Sequence, residues 1–201
     1  VRYPYISLFA AIFFFSYLSW NAAQTTQPAP DSPADAVAEF RTGMDGVHPQ
    51  NISQILWAND PEGLSKIVQL QKLANALARL RTAVNKQFGP KVFYLEEKPS
   101  QPTDVKIDGN LAVVTTADGR SVLLQHVGGV WRIPVKQEHG EMIQQHLAEL
   151  QVMTEAINSI AADTEADRFD TADEVLRAAQ EELTRGRAIR KATTAATTQA
   201  K

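Results

Sequence analysis

At 201 residues, 44% of them hydrophobic, the chain has enough apolar material for one good-sized core with an appended subdomain. A formal net charge of −3 excludes no class of partner by itself. The absence of cysteine does exclude: disulfides, thiolate catalysis, cysteine–zinc sites and acylation of a lipoprotein cysteine are all ruled out.

Residues 1–23 carry one positive residue, Arg2, then an uncharged apolar run over 6–20, then Ala22 and Ala23. That layout predicts a secretory signal peptide cleaved near Ala23. The alternative is an uncleaved membrane anchor, although the run of about 15 residues is short against the ~20 needed to span a bilayer. Val1 in place of Met fits a non-AUG start codon in a bacterial gene. The expected address is therefore periplasmic or extracellular. Residues 24–31, with Pro28 and Pro30, read as a linker.

Ser32, Pro33 and Asp35 form a helix start: a cap, a first-turn proline and an acidic residue three after the cap. Val37, Phe40 and Met44 line one face of that helix, and Gly43 or Gly46 ends it. A second, short helix is expected over 51–58, with Ile52, Ile55 and Leu56 apolar. Asp60, Pro61 and Glu62 then open a long helix. Leu64, Ile67, Val68, Leu73, Leu77, Leu80, Val84 and Phe88 keep its period until Gly89 and Pro90 stop it. About 28 residues span ~42 Å as helix, against ~20 Å for a six-residue strand. This helix must overhang the sheet or bend. Residues 91–97 fit a first strand, and Pro99 and Pro102 mark a loop.

The run 111–135 gives the clearest instructions, because turn signals separate its apolar stretches. Asp118-Gly119 and Gly128-Gly129 favour tight hairpin turns, and Asp108-Gly109-Asn110 sets off one more short strand before Leu111. At least four antiparallel strands follow. Trp131, Ile133 and Val135 share one face of the last, and Pro134 places that strand at a sheet edge or its own end at the proline. In the strand over 121–127, Leu123 and Val127 fall on one face, and Val122, Leu124 and His126 on the other. Both faces call for cover.

Two amphipathic helices, a short helix between them and a meander ending Gly129-Val130-Trp131-Arg132-Ile133 make residues 32–136 resemble the nuclear transport factor 2-like (cystatin-like α+β) superfamily. The resemblance implies an α+β fold: N-terminal helices packed on a curved antiparallel sheet, here followed by C-terminal helices. It also implies a superfamily of isomerases, dehydratases and epoxide hydrolases with acid–base pairs in an apolar cone, alongside members without known activity. The ketosteroid-isomerase type needs a tyrosine and buried carboxylates; Tyr94, Asp104 and Asp108 are the candidates, but both aspartates sit in or beside turn-forming stretches. No catalytic residue is assigned.

Among the histidines, His126 shares a face with Leu124 and could offer a polar group inside an apolar pocket. His126, Tyr94 and Trp131 are accordingly the candidate pocket residues; the bland reading of His126 is a hydrogen-bonded strand residue. His139 and His146, with Glu138 and Glu149 nearby, lack the i, i+4 spacing of a zincin helix, so no metal site is assigned. No G-x-S-x-G, phosphate-cradling glycine loop or dinucleotide fingerprint is present, and no cofactor is expected.

After Lys136 the chain turns helical. Met142, Ile143, Leu147, Leu150, Met153, Ile157 and Ile160 keep a helical period, and Thr171 to Glu174 is a capping box opening another helix. Residues 137–186 are read as a helical extension and 187–201 as a disordered basic tail. The tail has no aromatic residue for stacking, so no nucleic-acid partner is expected. The apolar stripe of the helix after Glu138 is expected to lie on the far face of the sheet together with the folded-back helix from Thr171, the third option being another protein.

Three functions fit. The first is an exported, non-catalytic binding or scaffold module for a protein or small apolar ligand, touching membrane only through a retained N-terminal segment. The second is an enzyme or carrier with an apolar pocket between the long helix and the meander, using His126 or Tyr94. The third is a helix-mediated assembly protein.

Overall fold

In the computed structural model, which describes residues 30–90, 102–135, 141–182 and 184–185, the chain enters a helix at Ser32. Ser32 Oγ accepts from the backbone N–H of Asp35 at 3.1 Å, and α1 (Pro33–Met44) follows. After a 3-10 turn (Pro49–Asn51), α2 (Ile52–Ile55) makes a single helical turn. The long helix α3 (Pro61–Phe88) opens under Asp60, whose Oδ1 accepts from Gly63 N at 2.7 Å, and closes at Gly89, φ +91°. Both helix starts and the long helix's end lie where capping chemistry puts them. The expected strand over 91–97 and the expected signal segment over 1–23 lie outside the described residues.

Four strands follow the long helix: β2 (Pro102–Asp108), β3 (Leu111–Thr116), β4 (Ser121–Val127) and β5 (Val130–Pro134). They form an antiparallel meander, turning at Gly109, Gly119 and Gly128-Gly129, all with positive φ. A fifth strand precedes them in the chain. The helix expected over 51–58 stops at Ile55, and β1 (Leu56–Trp57) pairs in parallel with β5, Leu56 opposite Ile133. Val135 N donates to Trp57 O at 2.8 Å, completing that ladder. The sheet is therefore mixed rather than wholly antiparallel, in the order β1-β5-β4-β3-β2. Pro134 sits at the end of β5, which β1 keeps from being an edge.

The fold is α+β, and among the described residues the sheet packs on one side only. Ala112, Val114, Leu124 and Trp131 point inward against Ala36, Val37 and Phe40 of α1 and against Ile55. A neighbouring cluster joins Ile52 and Leu56 to Ile67 and Ala74 of α3, with Ile133 and Val135 at its border. The long helix thus reaches the sheet at its β1–β5 end, and α1 with α2 covers the meander. The opposite face carries Leu111 and Val113 of β3 and Leu123 of β4, which the register places side by side. Leu123 is 49% exposed, whereas its neighbour Leu124 is fully buried. The expectation of cover on both faces is corrected: among the described residues, one face is open.

The C-terminal helices explain the open face. Helix α4 (Glu141–Glu165) and helix α5, over 172–182, pack against the second half of α3. Leu73, Ala76, Leu80 and Val84 meet Ile157, Ile160 and Ala161 from α4 and Val175 and Ala179 from α5. They form a second core beyond the sheet, where the long helix overhangs it. Their placement on the far face of the sheet is therefore corrected. Arg79 clamps the same interface from outside, its Nε and Nη2 donating to the two carboxylate oxygens of Glu165 at 2.9 and 2.6 Å. The α5 capping box is formed: Glu174 N donates to Thr171 Oγ1, and Thr171 N to Glu174 Oε2, both at 3.3 Å. Leu64 and Val68, expected on the buried stripe of the long helix, are exposed near its start, ahead of the segment that α4 and α5 cover.

Candidate functional site: the two faces of the sheet

Of the three pocket residues expected from the sequence, Tyr94 lies outside the described residues, and His126 and Trp131 are brought together. They are direct cross-strand partners on β4 and β5, with ring centroids 4.9 Å apart and planes tilted by 48°. The backbone N–H of His126 donates to Asn110 O at 2.8 Å, tying the β4–β5 turn to the β2–β3 turn. Trp131 is buried among Val37, Ile55, Val114 and Leu124. The indole is a packing anchor with the imidazole as a half-buried neighbour.

The aspartates weighed as buried carboxylates, Asp104 and Asp108, lie on β2 and are exposed. They point to the open face, because their partners across the ladder are Thr115 and Leu111. They do not enter the core.

The best-connected ionisable group was read from the sequence only as a turn residue. Asp118, in the β3–β4 turn, accepts a hydrogen bond from the hydroxyl of the buried Thr116 and a weak one from Arg120 N, and pairs with Arg120 Nε at 3.3 Å. The Thr116 bond, aided by the charges of Arg120 and Arg41, holds its carboxyl below the usual carboxylate range against the opposing effect of burial. Arg41, half-buried on α1, is pushed down by burial and held up by Asp118 and Asp45. A carboxylate stabilised in this way is a poor proton acceptor near neutrality, and its charge attracts Arg41 of α1. Thr116 and Arg120 flank Asp118 in the chain, but sequence offered no signal for the influence of the distant Arg41. On the other side of α1, burial and Asp35 raise the pKa of Glu39, whose Oε2 faces Asn51 Nδ2 at 3.5 Å.

Among the described residues no group of three metal-ligating side chains converges, and His139 lies outside them. No helix among the described residues is long and apolar enough to cross a membrane.

The open face presents Leu111, Val113 and Leu123 side by side. On the same face Arg132 lies opposite Gln125, and its Nε is buried without a hydrogen-bond partner. Asp104, Lys106 and Asp108 rim the surface along β2. An apolar centre and a charged border make this the described surface best suited to contact another molecule. No protein-family profile matches the chain, and no curated protein or solved structure is significantly similar to it.

Proposed function

We propose that this chain is an exported, non-catalytic binding module that receives a protein partner on the open face of its sheet. The one-sided packing of the sheet carries the reading. The inward face is filled by its own side chains, Trp131 and Leu124 against Val37 and Ile55, whereas the outward face leaves Leu111, Val113 and Leu123 uncovered. A sheet face is broad and not enclosed, which suits a protein surface better than a small ligand needing a concave site. The partner's complementary surface brings apolar side chains to that centre and polar groups to the charged border along β2. Export belongs to the same proposal and rests on the leader pattern of Arg2, the apolar run over 6–20 and Ala22-Ala23.

The nuclear transport factor 2-like arrangement is also proposed. Its support is the pairing of β1 with the last strand of the meander across the long helix that separates them in sequence. The competing reading, an enzyme or carrier with a pocket between the long helix and the meander, is weakened because α1 and α2 occupy the meander's inner face.

An apolar dye with an anionic group, anilinonaphthalene sulfonate, tests the surface on the purified protein. Its fluorescence should rise with the native chain and fall severalfold for Leu111→Lys combined with Leu123→Lys, with circular dichroism unchanged. Equal dye binding by both proteins would count against the open face. Turnover of lipid-like substrates that disappears in His126→Ala would replace the binding module with an enzyme.

A further inference from the structure

A different part of the sheet carries the inference, and it stands whether or not the open face binds a partner. Strand β2 is the last in the sheet order, paired with β3 on one side and unpaired with any described strand on the other. Such an edge presents a row of backbone donors and acceptors to any strand that can lie alongside. Pro102 and a register shift between Pro102 and Asp104 blunt its beginning, leaving residues 104–108 as regular ladder.

The side chains along this edge are unusual for a strand that must stay single. Val105 and Ile107 belong to the inward face, opposite the buried Val114 and Ala112, yet they are 38% and 58% exposed. The apolar layer of the core therefore continues past the last covered strand and stops in solvent. On the other face Asp104 and Lys106 alternate, with Lys106 Nζ 3.7 Å from Asp104 Oδ2 of its own strand. A lone lysine on an edge discourages pairing with other strands. An aspartate two residues away changes this, because a second copy running antiparallel can set each lysine against the other copy's aspartate.

We propose that two copies of this chain pair through β2, antiparallel and about a two-fold axis at Val105, joining their sheets into one continuous sheet. In this register Val105 lies opposite Val105 of the copy, and Lys106 lies opposite Asp104 of the copy, twice by symmetry. The exposed Val105 and Ile107 of both copies then form one apolar row across the seam. The neighbouring registers are worse. Centring on Lys106 sets lysine against lysine and Asp104 against Asp108, and centring on Asp104 sets aspartate against aspartate; like charges directly opposite are unfavourable. Centring on Ile107 keeps a Lys106–Asp108 pair but overlaps only the last residues of β2 before running into the Gly109-Asn110 turn. The axis at Val105 centres the seam on residues 104–106 of both copies, with Ile107 opposite Thr103 and Asp108 opposite Pro102 at its margins.

The absence of native cysteine makes the full chain suited to a single-cysteine test. Across an antiparallel seam centred on Val105, the two Cα atoms of that residue lie ~4.5–5.5 Å apart, inside the ~4.4–6.8 Å range of a disulfide. The two copies of Ile107 are displaced by four residues, ~13 Å along the strands. Mild oxidation should therefore convert Val105→Cys to a covalent dimer on a non-reducing gel and leave Ile107→Cys monomeric. In sedimentation equilibrium the cysteine-free chain should dimerise, Lys106→Asp should weaken the dimer on the order of tenfold, and Asp104→Lys combined with Lys106→Asp should restore it. All these positions are exposed, and unchanged circular dichroism verifies folding of each variant. A cysteine-free chain that stays monomeric at the highest soluble concentration overturns the proposal. So does crosslinking at Ile107 instead of Val105, or a dimer indifferent to Lys106→Asp.

Discussion

Truncating Leu124 and Leu123 to alanine, one at a time, separates two neighbours on β4 that differ only in the face they occupy. Leu124 is fully buried against α1, Ile55 and Trp131, and Leu123 is half exposed on the open face. A buried leucine reduced to alanine loses its transfer free energy and leaves a cavity, together about 2.7–5 kcal/mol. For Leu123 about half of a ~2 kcal/mol burial is at stake, and no cavity forms on an open surface, so the loss is ~1 kcal/mol or less. At a urea m-value of roughly 2 kcal/mol per M, the Leu124 variant should unfold roughly 1.4–2.5 M earlier, and the Leu123 variant within ~0.5 M of the parent. Equilibrium urea unfolding followed by circular dichroism measures both. Equal losses would mean that the open face is covered. A reversed order would mean that β4 is slipped by one residue, since such a slip exchanges the two faces.

Four further outcomes follow from the same structure. At Gly46, φ +70°, an added Cβ would lie 2.6 Å from Ala78 N on α3, so Gly46→Ala should lose ~2 kcal/mol or more. At Gly128, φ +60°, nothing lies within 4 Å, so Gly128→Ala should cost only ~1 kcal/mol and Gly128→Asn less, both read from thermal melts. Asp118 contributes stability that is complete above its unfolded-state pKa and is lost as pH falls through its lowered folded-state value; urea midpoints of Asp118→Asn should therefore converge on those of the parent below about pH 4. Convergence on raising the pH instead would reverse the sign of that coupling. Asp60→Ala, which removes the cap on Gly63 N, should destabilise by ~1 kcal/mol, and Asp60→Ser should recover most of it.

Local chemistry was legible in the sequence wherever a single residue type dictates a backbone state. Ser32, Asp60 and Thr171 cap helices as expected, and Gly109, Gly119 and Gly128-Gly129 turn the meander. What depends on choosing among partners was not legible. Strand β1 is two residues long and follows helical residues directly, so its only signature is the partner it finds on β5. The apolar stripe of α4 announced that it must be covered, but periodicity does not say by what. Both faces of β4 carry apolar residues, which suggested the sheet as that cover. The decisive hint lay in the length of α3: its 28 residues leave a half that the sheet cannot reach, and there Leu80 and Val84 receive Ile157 and Val175. The electrostatic influence of Arg41 on Asp118 had no sequence signal at all, because it acts between a helix and a turn far apart in the chain.

Solvent paramagnetic relaxation enhancement on methyl-labelled protein tests the two-faced sheet most directly. With a soluble gadolinium chelate, the methyl resonances of Leu111, Val113 and Leu123 should broaden strongly, while those of Val114 and Leu124 stay sharp. Equal protection of both sets would mean that something covers the outer face, and the account of an open binding surface would be wrong.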